Sequence, residues 1–371
     1  MNRGTSLYLD LVRFSAAFVV FLEHLREHTR NSFSYVWQQH PFLYRHLDPY
    51  SETAVIVFFV LSGYVIAHVL ATRENTLREF AASRLARLYS VAIPALLLAA
   101  ATNYAEALRY PDAFEAYNNM PAALRYAGTA IFVSNFWLWP EFEPANTPFW
   151  TLCFEASYYA GIAIFLFAKG YGRIAGLILL SLAAGPTMVL LAPTWLVGYW
   201  AYGFSKRLRI NAWAAFALWL LSTVLLLSCI VIEEHFRQRL PFLRIPDATT
   251  GGLFAAYAAA LCFVVNVLAF NGFSAVAGRV LQPISGLLRW LGSITFALYL
   301  FHMPILSFLT VYPVSGPSSP TQMMALIGVT FLVVATVGWA CEQSKGAYKR
   351  FFLFIWERWL QLVPSPNARI P

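Results

Sequence analysis

The chain has 371 residues, of which 59% are hydrophobic, 17% aromatic and only 12% charged, with a formal net charge of +8 and a mean hydropathy of +0.58. Soluble domains average about 45–50% apolar and about 25% charged residues, so an ordinary soluble enzyme, a disordered chain and a small disulfide scaffold are excluded. The 26 Lys and Arg form no basic run or aromatic–basic module, which argues against a nucleic acid partner. The four cysteines, Cys153, Cys229, Cys262 and Cys341, are too widely spaced for a metal site or a disulfide framework. What remains is an all-α polytopic membrane protein.

Ten stretches are apolar enough to be read as spanning helices: 7–25, 53–72, 88–106, 148–168, 172–192, 194–206, 212–232, 250–271, 289–310 and 322–341. The first contains Asp10 and Arg13, so it reads as a retained helix and not as a cleaved leader, and it also carries Glu23 and His24. Ionisable residues inside a span are costly and generally face a cavity or a partner. At helical spacing Arg13 and His24 differ by only about 20° after whole turns and lie about 16 Å apart along the axis. One face therefore carries a guanidinium near one edge of the membrane and an imidazole near the other. Asp10, three residues before Arg13, is placed to pair with it; mutual neutralisation of the two is the plainer alternative.

The next loop, 26–52, and a later one, 107–147, carry Trp37, Tyr44, Asp48, Trp137, Trp139, Glu141 and Glu143. Aromatic faces beside carboxylates suit carbohydrate recognition, although a belt of interfacial tryptophans explains the rings equally well. The second span reads FFVLSGYVIA, and its Ser62-Gly63 pair lets another backbone or a ligand come close. Where the chain re-enters the membrane, Arg84 and Arg87 form an i, i+3 fork suited to phosphates, whether of a substrate or of lipid headgroups. A weaker apolar stretch at 124–139 reads as re-entrant or interfacial.

The fourth span opens PFWTLCFE and sinks Glu155 below the surface, where it needs a partner among His24, His302 and Arg13. The fifth and sixth spans read as a tight hairpin around Pro193. In the ninth, Tyr299-Leu300-Phe301-His302-Met303-Pro304 combines an imidazole with a proline that frees backbone groups to line a cavity. With ten spans and both termini cytoplasmic, inside segments hold 17 Lys and Arg against 8 outside, in line with the positive-inside rule. The expected organisation is a membrane domain over 1–345 and a short cytoplasmic tail over 346–371.

Five motifs in fixed order, LDLVRFSAAFVVFLEH, FFVLSGY, Arg84-x-x-Arg87, FWTLCFEASYY and ALYLFHMPI, resemble the acyltransferase-3 family of bacterial membrane proteins over about 5–310. The resemblance implies about ten helices in the bacterial inner (plasma) membrane. It also implies transfer of an acyl group, commonly acetyl, from acyl-coenzyme A as co-substrate to a hydroxyl of an exopolysaccharide, lipopolysaccharide or lipid-linked saccharide. No permanently bound cofactor and no metal is expected. His24 is implied as general base or transient acyl carrier with Arg13 as its helix partner, and Glu155 and His302 fall at recurrent positions. Arg84, Arg87, Arg13, Ser62, Gly63 and Tyr64 are the implied donor-binding residues. One departure stands out: Ile56 occupies a position where many relatives carry an aspartate, so orientation of His24 is expected from Glu23, Glu52 or Glu155, or is absent. No soluble esterase-like domain is evident, so the chain is expected to complete transfer alone. The competing expectation is a transporter or flippase of a glycan or small solute, with Arg13, Glu155 and His302 as a polar relay. It predicts inverted repeats, which the sequence does not display. Oligomeric state is not legible.

Overall fold

A computed structural model describes residues 1–29, 33–109, 121–137, 146–235, 250–311 and 320–362. Among the described residues the chain is helical and contains no β-strand. The elements are α1 (Arg3–Thr29), α2 (Ser34–Gln39), α3 (Pro41–Leu70), α4 (Leu77–Arg109) and α5 (Ala122–Ala130). A 3-10 turn, Thr147–Phe149, leads into α6 (Trp150–Phe167), α7 (Gly170–Ala184), α8 (Pro186–Arg207), α9 (Ala212–Ser228) and α10 (Ile230–His235). Then come α11 (Thr250–Leu281), a second 3-10 turn at Gln282–Ile284, α12 (Ser285–Val311) and α13 (Pro320–Leu362).

The ten apolar stretches fall on helical segments but not one to each helix: 172–192 runs across the break at Gly185 from α7 into α8, which also holds 194–206, and 212–232 runs from α9 into α10. Among the described residues, seven helical stretches are long and apolar enough to cross a bilayer, or eight if the bent α7–α8 pair is one span. One of the seven, Gly252–Thr310, joins α11 and α12 over 59 residues. As a straight helix it would extend about 89 Å, far beyond the roughly 30 Å apolar thickness of a bilayer.

Three expectations about boundaries change. The chain does not turn at Pro193, which lies inside α8; it turns at Gly185, where α7 and α8 meet at 119°. Gly185 has φ +91°, in the left-handed region where a side chain is strained, and its α-carbon is covered by the Trp137 ring. Pro186 then occupies the first helical position, where its missing N–H costs nothing. Second, α3 starts at Pro41, well before the apolar run, so the 26–52 loop is largely helical. Third, α13 passes the expected span end at 341 and continues to Leu362, so the segment expected as a tail begins as helix. Among the described residues, the weak stretch at 124–139 overlaps the nine-residue α5, too short to cross a membrane, and turns follow it. Trp139, Glu141 and Glu143 lie outside the described residues.

The arrangement that matters for the site is the setting of α1, which packs against α3, α11 and α12, while α4 closes the far side of α12. Close helix approach depends on absent side chains. Gly63 of α3 sits on the backbone of Trp195 and Tyr199 in α8, and Gly198 of α8 sits on the backbone of Val60 in α3. Small residues substitute for the hydrophobic drive that helices lack inside lipid.

Candidate active site

Two polar features lie along the α1–α12 seam. The first is a cavity walled by α1, α3, α4, α6 and α12, into which Arg13, Arg84, Arg87, Ser62, Glu155 and Tyr159 point. Its volume of about 70 Å³ accommodates a handful of waters. Arg84 and Arg87 are on the helical part of α4, about 10 Å past its first residue. The fork is therefore inside the bundle and not on a connecting loop. Arg84 pairs with the buried Glu74 at 3.0 Å and lies over the Phe80 and Tyr159 rings. Arg87 lies over Phe296, 5.7 Å from the ring centroid. The Nε atoms of both arginines are buried without a hydrogen-bond partner, a costly state that a bound anion would relieve.

Glu155 is the carboxylate among these three guanidiniums. Ser62 donates to it at 3.1 Å and the Tyr159 hydroxyl, one helical turn on, donates to the same oxygen. Trp195 Nε1 in turn donates to Ser62 Oγ at 3.2 Å. Glu155 is thus committed to the arginine cavity. Asp10 pairs more closely with Arg289 (2.5 Å) than with Arg13 (3.9 Å), so the expected Asp10–Arg13 neutralisation is loose.

The second feature is a histidine pair. His24 Nδ1 and His302 Nε2 are 2.8 Å apart, with the rings stacked at 5.0 Å between centroids. His302 is completely buried and His24 half-buried. The tautomers follow from hydrogen-bond chemistry. His302 Nδ1 lies 2.7 Å from the Leu298 carbonyl, which can only accept, so Nδ1 carries the hydrogen. In the neutral ring Nε2 is then an acceptor, His24 Nδ1–H donates to it, and His24 Nε2 retains a lone pair. A base oriented through its other nitrogen is the arrangement proton transfer needs. The two features adjoin: Tyr299, less than one turn before His302, lines the cavity, and its ring lies 6.4 Å from that of His302.

Residues 6–341 match the acyltransferase-3 domain. The chain belongs to the acyltransferase-3 family. No curated protein and no solved structure matches it. As a member of that family the protein is a membrane acyltransferase.

In this acyltransferase the residues read from sequence separate into groups. Arg13, Arg84, Arg87, Ser62 and Glu155 share the cavity, while His24 and His302 form the pair beside it. Glu155 is not the orienting partner of His24, since its oxygen is held by Ser62 and Tyr159. Nor is Glu23, which Arg26 grips through two hydrogen bonds of 2.9 and 2.5 Å. Glu52 is exposed, and Ile56, at the position of the family aspartate, is buried among apolar neighbours. The side chain that takes up His24 Nδ1 is His302. Gly63 and Tyr64 do not line the cavity: Gly63 packs on α8, and the Tyr64 hydroxyl donates to Ser205 and accepts from Asn271. Sequence reasoning passed over Tyr159, and it met Tyr299 only as part of the His302 motif without giving it a role in the cavity. Tyr159 was findable, because it stands i+4 from Glu155 and such pairs meet on a helix surface.

Proposed function

We propose that this acyltransferase moves an acyl group, acetyl in the first instance, from cytoplasmic acyl-coenzyme A to a hydroxyl of an extracytoplasmic saccharide across the bacterial inner membrane. The observation that carries this reading is the His24–His302 pair, with a free Nε2 on His24, beside a cavity holding three arginines. The arginines supply charge complementary to the donor's diphosphate, delivered through guanidinium forks. From Arg13 to His24 is about 16 Å along α1, a path for the donor's flexible arm past Tyr299. At its end, His24 Nε2 removes the proton from the acceptor hydroxyl as the oxygen attacks the thioester carbonyl carbon. The carbon–sulfur bond then breaks, and the proton held by His24 passes to the departing sulfur. His302 acts through His24: its Nε2 fixes the tautomer and accepts part of the imidazolium charge. Just beyond α1 the exposed Tyr44, with Arg26 over one face of its ring, lies on the acceptor's approach and offers its other face to a sugar.

The test is transfer by the purified full-length protein in lipid nanodiscs, with radiolabelled acetyl-coenzyme A and bacterial glycan as acceptor. Label moves to the glycan with the wild type. His24→Ala lowers the rate by about 10²- to 10⁴-fold, the usual contribution of a general base, with its melting temperature retained. A His24→Ala protein that transfers at the wild-type rate sinks the assignment.

A further inference from the structure

At the end of the bundle where α1 begins, a second cavity of about 660 Å³ is lined by Arg3, Ser6, His68, Arg73 and Arg289. It opens beside a third space of about 320 Å³ that shares Arg3 and adds Arg279. Among the described residues only Arg289 of these arginines has a carboxylate within ion-pair distance, Asp10. No carboxylate among the described residues pairs with Arg3, Arg73 or Arg279. Lys206 adds to their charge from α8, its ammonium 4.5 Å from the ring centroid of Tyr202, whose hydroxyl hydrogen-bonds His68.

This cavity and the arginine cavity are stacked between the same three helices. On α1 the walls pass from Arg3 and Ser6 to Arg13, along the turn after α3 and α3 itself from Arg73 and His68 to Ile66 and Ser62, and on α12 from Arg289 to Phe296 and Tyr299. From Ser6 to Arg13 the axial step is about 10 Å. Asp10 stands at the junction, bonded to Arg289 and 3.9 Å from Arg13. The two spaces differ in size. Only the outer one falls in the range of about 300–1,000 Å³ typical of small-molecule sites, whereas about 70 Å³ in the inner one cannot admit a nucleotide.

We propose that the outer cavity is the seat of the donor's 3′-phosphorylated adenosine. Arg3 and Arg73 hold the ribose 3′-phosphate, and the diphosphate extends inward toward Arg13, Arg84 and Arg87. The proposal rests on the acyl-coenzyme A reading above and assigns a second, separate phosphate site on that donor. An anionic lipid headgroup presents the same phosphate chemistry, and the experiment separates the two sources.

Binding of coenzyme A and of 3′-dephospho-coenzyme A to the full-length protein in detergent is measured by calorimetry, for the wild type and for Arg3→Ala with Arg73→Ala. Both side chains are exposed, and an unchanged melting temperature checks that the double variant folds. The wild type binds coenzyme A about tenfold or more tightly than the dephospho form, the size of a charge-assisted contact. In the double variant that preference disappears, and the affinity for the dephospho form stays as in the wild type. A preference that survives the double substitution, or that the wild type lacks, overturns the proposal. So does native mass spectrometry showing phosphatidylglycerol bound to the wild type and lost from a double variant that keeps its coenzyme A preference; that result makes the cavity a lipid site. Failure of the wild type to bind either nucleotide is a different result: the donor reading itself then falls, together with this inference.

Discussion

Helices α3 and α9 differ little in composition and greatly in what they do. The best apolar window of the Tyr44–Leu70 stretch has a mean hydropathy of 2.2 and is 61% buried within the protein, whereas that of Ala212–Ile232 reaches 2.5 and is 22% buried. The more apolar helix is the one that meets lipid. α9 presents Leu221, Val224 and Leu225 outward and makes its inward contacts mainly with α11. α3 places Ser62 in the arginine cavity, Gly63 against α8 and Tyr64 in a hydroxyl–amide chain. In lipid the outward face needs only to be apolar, while the inward face must pack closely and satisfy every polar group. Hydropathy therefore finds the spans without ranking them by function; the sparse polar and small residues do that.

The comparison can be broken or sharpened at three inward or outward positions. The largest effect is expected at His302, inside the bundle: His302→Ala frees the His24 ring and lowers the turnover number by about 10²-fold, at the low end of general-base contributions. KM for donor and acceptor should be little changed, since His302 touches neither, and steady-state kinetics with both substrates varied checks this. Equal losses in turnover and binding would mark His302 as part of the packing alone. Next is Gly63→Ala, whose added Cβ lands on the Trp195 carbonyl and 2.8 Å from Tyr199 N. Backbone atoms cannot swing aside, and overpacking of this kind costs about 1–3 kcal/mol, read as a lower unfolding midpoint in detergent. The smallest effect is expected at Val224, 60% exposed on α9: Val224→Ala should change stability by no more than about 0.5 kcal/mol. A larger loss there would mean that α9 is covered by a partner and not by lipid.

Much of the site was legible before any coordinates. Arg13 and His24 stand out because charges in apolar runs are rare and expensive, and helical periodicity already puts them on one face. The Arg84 and Arg87 fork and Glu155 were visible for the same reason. Partner choice was not. Glu155 was open to His24, His302 or Arg13, and it went to Ser62, Tyr159 and the arginine cavity, because α6 crosses α3 and α4 at that depth. The histidines, 278 positions apart, were candidates at similar depth but with nothing to say that they touch. The turn at Gly185 was missed because Pro193 is the louder signal, yet a membrane helix tolerates proline where neighbours satisfy the freed backbone groups.

What the residues alone determine about this protein is a helical membrane chain with its costly polar groups at known depths, since both follow from the free energy of moving side chains into lipid. Which of those groups meet was decided by helix packing: glycine contacts set how α3 approaches α8, and the seam of α1 with α12 joined two histidines and stacked two cationic cavities. Depth is a property of one helix in a solvent gradient. Partnership depends on the rotation and spacing of several helices at once, and local sequence does not encode that.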